Sequence, residues 1–298
     1  MPRKPGAVYH VPVPSSLASA LGAVRNPDGG WGYYPGKKSR IEPTCWALMA
    51  LGREAGKAPD VEVLVRWPRR DGWLEDVTGV PINVAFNALA AITLRQNPAT
   101  SLQAEPLIKD VVQARGVRLD PSSAIRQDNS LQAWAWIDQT FSWVEPTAWC
   151  LLLLKQARTS VVVAGAAERI QVGERMLLDR ACASGGWNYG GSNVYGQELF
   201  AYIPTTALGV LALQDKRDTP EMQKAMQFLT SQSSTEPSAV ALGMTSIALR
   251  QIGVAGGPAP ADVLARAEVA RAEGQVLGMA TALYATSGSS KDKGAFGV

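Results

Sequence analysis

The chain has 298 residues, 46% hydrophobic and 18% charged, which supplies apolar material for a sizeable core and excludes general disorder. Its net charge of +3, from 29 basic against 26 acidic residues, is concentrated on no segment, which excludes nucleic-acid binding through a charged face. Three cysteines (Cys45, Cys150, Cys182) do not make a disulfide framework and suit a reducing cytoplasm, and no segment approaches the roughly 18 uninterrupted apolar residues of a membrane span.

Residues 1–14 read as an N-terminal extension with a basic start, no apolar stretch behind it to make a secretory signal, and the single histidine, His10, among prolines. From residue 15 the chain repeats itself. A turn, Asp28-Gly29-Gly30-Trp31-Gly32, precedes Glu42-Pro43-Thr44-Cys45-Trp46-Ala47-Leu48, where a proline opens a helix that is apolar on every side. Proline is tolerated at the first helical position, because that N–H has no partner within the helix. A helix apolar all round is predicted to be buried all round. A second turn, Asp71-Gly72-Trp73, precedes a looser copy that starts at Pro81 and runs through Phe86, Leu89 and Ile92. Glu145-Pro146-Thr147-Ala148-Trp149-Cys150-Leu151 repeats the first copy closely. The turn Gly185-Gly186-Trp187-Asn188-Tyr189 then leads to copies at Pro204-Thr205-Thr206 and Pro237-Ser238, and 275–284 is a sixth without its proline.

The stretches between read differently. Met222, Ala225, Met226 and Leu229 fall at i, i+3, i+4 and i+7, one apolar stripe on a polar helix, and 168–179 and 262–272 are similar. Buried helices thus alternate with amphipathic ones in about six pairs, which predicts an all-α (α/α)6 toroid with the apolar helices inside. The predicted domain covers 15–285, with 286–298 a flexible tail. Lys37, Lys38, Arg40, Arg69 and Arg70 sit beside turns and read as solvated loop charges.

The Gly-Gly-Trp turns and Pro-Thr helix starts, clearest in 26–32 and 42–48, resemble the repeats of the terpenoid-cyclase and protein-prenyltransferase superfamily. The resemblance covers roughly 15–285. It implies the toroid, a central cavity for an isoprenoid or similar apolar lipid, and cyclase-like chemistry. Departures bear on that function. Arg25 and Arg180 stand where cyclase turns carry glutamine, there is no Asp-x-Asp-Asp acid cluster, and no zinc-ligand set exists, so neither metal nor cofactor is expected. The second reading is a non-catalytic binding or scaffold protein that keeps the toroid. Peripheral membrane contact and a protein partner stay open.

Glu42 and Glu145 are the candidate catalytic residues, carboxyls at one mouth of the cavity that could donate a proton. A structural reading stands beside it, since negative charge favours a helix N-terminus for its own sake. Trp46, Trp149, Trp136, Trp143 and Tyr202, with Thr44 and Thr147, are the candidate substrate-binding residues; the aromatics could equally be core. Trp31, Trp73 and Trp187 read as turn residues. Cys45 and Cys150 read as buried fillers, and the glycine-rich 185–196 as an ordinary connection without the lysine of a P-loop.

Overall fold

The computed structural model describes residues 14–288 and 294–298. The chain winds through outer and inner helices in alternation: α1 (Pro14–Ala23) and α2 (Ile41–Glu54), α3 (Glu62–Val65) and α4 (Val84–Arg95), α5 (Glu105–Gln113) and α6 (Val144–Ala157). It continues through α7 (Ala166–Asp179) and α8 (Ile203–Ala212), α9 (Pro220–Gln232) and α10 (Ala239–Gln251), α11 (Pro260–Ala272) and α12 (Val276–Thr286). Each even-numbered helix packs on the next, and α12 returns onto α2 to close the ring. The fold is an (α/α)6 toroid, with the second outer helix, α3, shortened to one turn. Among the described residues, strand is confined to two hairpins, Arg69–Arg70 with Trp73–Leu74 and Asn193–Val194 with Gln197–Glu198.

Sequence pattern and burial agree helix by helix. On α9 the buried residues are Met222, Ala225, Met226 and Leu229, the stripe expected of an outer helix. On α2 every residue from Pro43 to Ala50 is buried, as a helix enclosed by neighbours requires. The prolines sit slightly deeper than expected: Pro204 is second in α8, and Pro43 and Pro146 are third in α2 and α6. All three remain within the first four positions, whose N–H groups lack intrahelical acceptors. Asn83 and Ser238 cap α4 and α10 through their side chains.

The recurring turns have a common construction. Trp31, Trp134 and Trp187 are wholly buried, and their indole N–H groups donate to Leu21 O, Val111 O and Leu177 O near the ends of the preceding outer helices, at 2.6–2.8 Å. The backbone of each tryptophan is clasped by a threonine hydroxyl from the fourth position of the next inner helix. Thr44 holds Trp31, Thr147 holds Trp134 and Thr206 holds Trp187, the hydroxyl accepting from the N–H and donating to the carbonyl. In the second pair Leu74 replaces the tryptophan and Asn87 the threonine, with bonds of 2.8 and 3.1 Å. Gly186 shows why the turn needs glycine. Its φ is 81°, and a Cβ there would lie 2.4 Å from the Thr206 hydroxyl.

Two ion pairs tie elements together. Lys155, buried in α6, donates to Glu174 of α7 at 2.8 Å, to Asp215 after α8, and to Ala212 O at 3.0 Å. The stretch expected to be a flexible tail differs from that picture at both ends. Thr286 belongs to α12, and Gly294–Phe296 forms a 3-10 turn inside the ring, with Phe296 fully buried. The physical reason is a large aromatic side chain with an apolar lumen to fill. Gln214 Nε2 donates to Phe296 O at 2.8 Å, and Gln156 Nε2 to Ala295 O at 2.7 Å, which anchors the turn.

Candidate functional site

Helical geometry decides which residues see the ring axis. The second and sixth positions of an inner helix lie on one face, and in five of the six inner helices those positions line one pocket. The upper layer is Glu42, Glu145, Pro204, Val240 and Leu277; the lower is Trp46, Trp149, Leu208, Met244 and Thr281. Tyr189 and Thr205 complete the lining, and the enclosed volume is about 100 Å³. Beneath, the lumen is filled. Trp46 and Trp149 meet edge-to-face at 6.2 Å, and Phe296 packs on Trp46, Trp149 and Tyr284 at 5.3, 6.1 and 5.2 Å.

The two carboxyls therefore stand at the N-terminal mouth of the ring, hemmed in by protein although each residue keeps some accessible surface. Burial pushes the Glu145 carboxyl up to about 7, with repulsion from Glu42 adding to it. Burial also raises Glu42, against which a hydrogen bond from Tyr33 works, while the negative charge of Asp76 raises it further. Tyr33 Oη donates to Glu42 Oε2 at 2.6 Å. Arg40 stacks over the Tyr33 ring, its Cζ 5.7 Å from the centroid, and pairs with Asp76, whose Oδ1 accepts from Ile41 N–H at 2.7 Å. No hydrogen bond reaches the Glu145 carboxyl among the described residues. Donors to an ionised carboxylate favour the charged form, so the Tyr33 hydrogen bond works against burial at Glu42, while no such bond offsets burial at Glu145.

The remaining sequence candidates lie elsewhere. Thr44 and Thr147 are wholly buried and their hydroxyls hold the turns at Trp31 and Trp134, so they face the turns rather than the pocket. Trp136 packs on Phe86 at 5.9 Å, Trp143 on Phe141 at 4.5 Å, and Tyr202 on Tyr189 at 5.0 Å, all around the mouth. Sequence reasoning missed Tyr33 and Asp76. Nothing in the sequence ties Asp76 to a helix start 35 residues earlier, and Arg40, read as a solvated loop charge, is its partner. Tyr33 follows the Gly-Gly-Trp-Gly turn directly, a position that could have marked it. Arg25, in the place of a cyclase glutamine, lies over the Trp31 ring at 5.0 Å and donates to Gly29 O at 2.8 Å.

His10 lies outside the described residues, and among those described no group of three or more His, Cys, Asp or Glu could hold a metal ion. Cys45, Cys150 and Cys182 are free and buried, and burial raises each thiol. No helix among the described residues is long and apolar enough to cross a membrane.

The class this geometry defines is the (α/α)6 toroid with carboxyls at the N-terminal mouth of its inner ring. No protein-family model matches the chain, and no curated protein does. Solved structures do. The endo-β-1,4-glucanase CMCax from Acetobacter xylinum is similar at a TM-score of 0.54 and 12% identity, over 92% of this chain and 97% of that one. The apo β-1,3-1,4-glucanase from Paenibacillus sp. X4 gives 0.52 and 10%, over 95% and 93%. A family 76 glycoside hydrolase from a bovine Bacteroides thetaiotaomicron strain gives 0.56 and 10%, over 91% and 76%. Likeness at these identities establishes the fold.

These findings correct the resemblance to terpenoid cyclases and protein prenyltransferases: the similar structures are glycoside hydrolases, toroids of a different family. The physical reason lies in the motifs that carried the resemblance. The Gly-Gly-Trp turn and the Pro-Thr step are two halves of the clasp between outer and inner helices, so they report toroid packing and no chemistry. The expected isoprenoid or lipid ligand falls with it, because a lumen filled by Trp46, Trp149, Tyr284 and Phe296 leaves only about 100 Å³. A pocket that encloses a small apolar ligand is typically about 300–1,000 Å³. The scaffold reading, which rested on loss of a cyclase site, goes with the cyclase comparison.

Proposed function

We propose that the chain is a glycoside hydrolase acting on a glucan laid across the mouth of the toroid, with Glu145 as general acid and Glu42 as its carboxylate partner. The observation that supports it is the convergence of two carboxyls, both raised by burial, on one pocket at the ring's N-terminal mouth. Two carboxyl groups flanking the scissile bond are what glycosidic hydrolysis requires. Glu145 gives its proton to the leaving oxygen as the C1–O bond breaks. Glu42, which accepts from Tyr33 Oη at 2.6 Å, takes a proton from the water whose oxygen forms the new bond to C1. Glu42 then releases its proton to solvent and Glu145 takes one up, and the products are two shorter glucan chains, one with a new reducing end.

The glucanases and the family 76 hydrolase among the similar structures support a carbohydrate substrate. In this reading Tyr202 and Tyr189, with Trp143 and Trp136 beside them, offer aromatic faces to sugar rings around the mouth. A cytoplasmic location belongs to the same proposal, on the three free thiols.

Release of reducing ends from soluble β-1,4- and mixed-linkage glucans tests the reading. Glu145→Gln and Glu42→Gln are each expected to lower kcat by about 10²- to 10⁴-fold, the usual worth of acid–base catalysis. Activity of the native protein is expected to fall as pH rises through about 7, where Glu145 loses its proton. Absence of hydrolysis by the native protein on both glucans would overturn it.

A further inference from the structure

Joining an outer helix to the next inner one takes few residues, as the connections entering α10 and α12 show with six and three, 233–238 and 273–275. The connection from α7 to α8 runs 23 residues, 180–202, far more than the packing needs. Five of the thirteen exposed large apolar side chains among the described residues lie in it: Tyr189, Tyr195, Leu199, Phe200 and Tyr202. Single exposed apolar residues are ordinary, but a cluster of them beside a cleft marks a binding surface. Phe200 is 82% exposed, so packing within the protein does not account for it.

Phe200 and Tyr202 line one side of an open groove of about 830 Å³, and α9 lines the other. Lys224, Gln227, Phe228 and Ser231 fall there at i, i+3, i+4 and i+7, on a face of α9 distinct from its buried stripe. Gln232 follows on the same face. The side-chain amides of Gln227 and Gln232 are exposed and make no hydrogen bond among the described residues. The groove is continuous with the candidate site. Tyr202, on the groove, lies ring to ring with Tyr189, on the central pocket, at 5.0 Å. The start of α8 passes from one to the other, Ile203 lining the groove and Pro204 and Thr205 the pocket.

Chemistry then selects the occupant. The charged groups of the groove, Lys224 and Glu236, are of opposite sign, which suits an uncharged polymer. Aromatic rings beside free amides suit a pyranose, which has apolar C–H faces and a rim of hydroxyls that donate and accept. The central pocket, at about 100 Å³, is too small to enclose a sugar ring, so a glucan lies over the mouth and continues outward. We propose, on the hydrolase reading above, that the groove is a remote binding site for the same glucan strand. The strand passes from the Glu42–Glu145 pocket over Tyr189 and Tyr202 onto Phe200 and α9. Phe200 is its stacking platform, and the amides of Gln227 and Gln232 bond ring hydroxyls. The protein therefore selects long chains over short ones, because only a strand longer than the mouth reaches the groove.

The test compares chain lengths. Affinity for cellotriose and for cellohexaose is measured by isothermal titration calorimetry in Glu145→Gln protein, which removes turnover. With extra anchors in reach, cellohexaose is expected to bind about tenfold or more tightly than cellotriose. Phe200→Ala and, independently, the double variant Gln227→Ala/Gln232→Ala are each expected to narrow that preference by about fivefold or more. All three side chains are exposed, so the fold tolerates their loss. Leu102→Ala, exposed at the opposite face of the ring, is expected to keep the preference. Equal affinity for the two sugars overturns the proposal, as does a preference unchanged in both groove variants. Binding of neither sugar, as a groove built for a protein partner would show, overturns it too. A length preference that falls in the groove variants, without any hydrolysis by the native protein, retains the groove and removes the hydrolase reading. Hydrolysis by a native protein whose binding shows no length preference removes the groove and keeps the hydrolase reading.

Discussion

Glu145 shows how environment sets the chemistry of a residue. A negative charge near a helix N-terminus is favoured by about 0.3–1 kcal/mol, which acts to lower its pKa. Burial and Glu42 act the other way and carry it from 4.5 to about 7, a change on the order of 3 kcal/mol at about 1.4 kcal/mol per unit. The larger effect wins. Folded Glu145 keeps its proton up to about 7, whereas the unfolded chain releases it near 4.5. The folded state therefore binds more protons between those values, and its stability falls as pH rises through that window. Glu145→Gln is expected to flatten that slope and to exceed the native protein in stability at pH 8 by up to about 3 kcal/mol. Urea denaturation at pH 4.5, 6, 7 and 8 measures it, and a variant with the native slope would show that Glu145 is not the group responsible.

Between residue and ring lies the helix pair, and its stability rests on polar ties in an apolar setting. Each Trp–Thr clasp satisfies a turn's N–H and carbonyl where water does not reach, as buried backbone groups require. Lys155 does the same for charge, joining α6, α7 and the turn after α8 through Glu174, Asp215 and Ala212 O. Breaking a fully buried pair typically costs about 3–5 kcal/mol, but here Asp215 keeps some exposure and Glu174 retains Lys216 at 3.3 Å. Lys155→Ala is therefore expected to lose about 1–3 kcal/mol, read as a shift in the urea midpoint. Exposed Lys57, in the turn after α2, provides the control, and Lys57→Ala should stay within about 0.5 kcal/mol of the native protein. Equal stability of the two variants would mean that the Lys155 network contributes nothing.

At the scale of the whole molecule, the ring closes through α12 on α2, and Phe296 fills the lumen that closure creates. Its ring touches aromatics from α2, α6 and α12 together, so it braces helices far apart in sequence. Phe296→Ala is expected to cost about 3–5 kcal/mol, with a lowered Tm and a helical circular dichroism spectrum retained below it. A Tm within a degree or two of the native value would show that residues 294–298 do not pack in the lumen in solution.

The alternation of apolar and one-sided helices, and with it the toroid, was legible in the sequence because helical periodicity and burial are local consequences of residue order. Glu42, Glu145, Trp46 and Trp149 could be picked out for the same reason, as equivalent positions of two matching copies. Their neighbourhood was not legible. Tyr33, Arg40 and Asp76 meet Glu42 only because two loops cross the mouth of one ring, and Phe296 reaches Trp46 only because the ring closes around it. Nor could the role of Thr44 and Thr147 be read from a motif. A threonine near a helix start faces either the lumen or the preceding turn according to rotation about the helix axis, and packing in the closed ring sets that rotation. Pocket size was likewise decided by the tertiary structure, since volume is what remains after side chains distant in sequence have met.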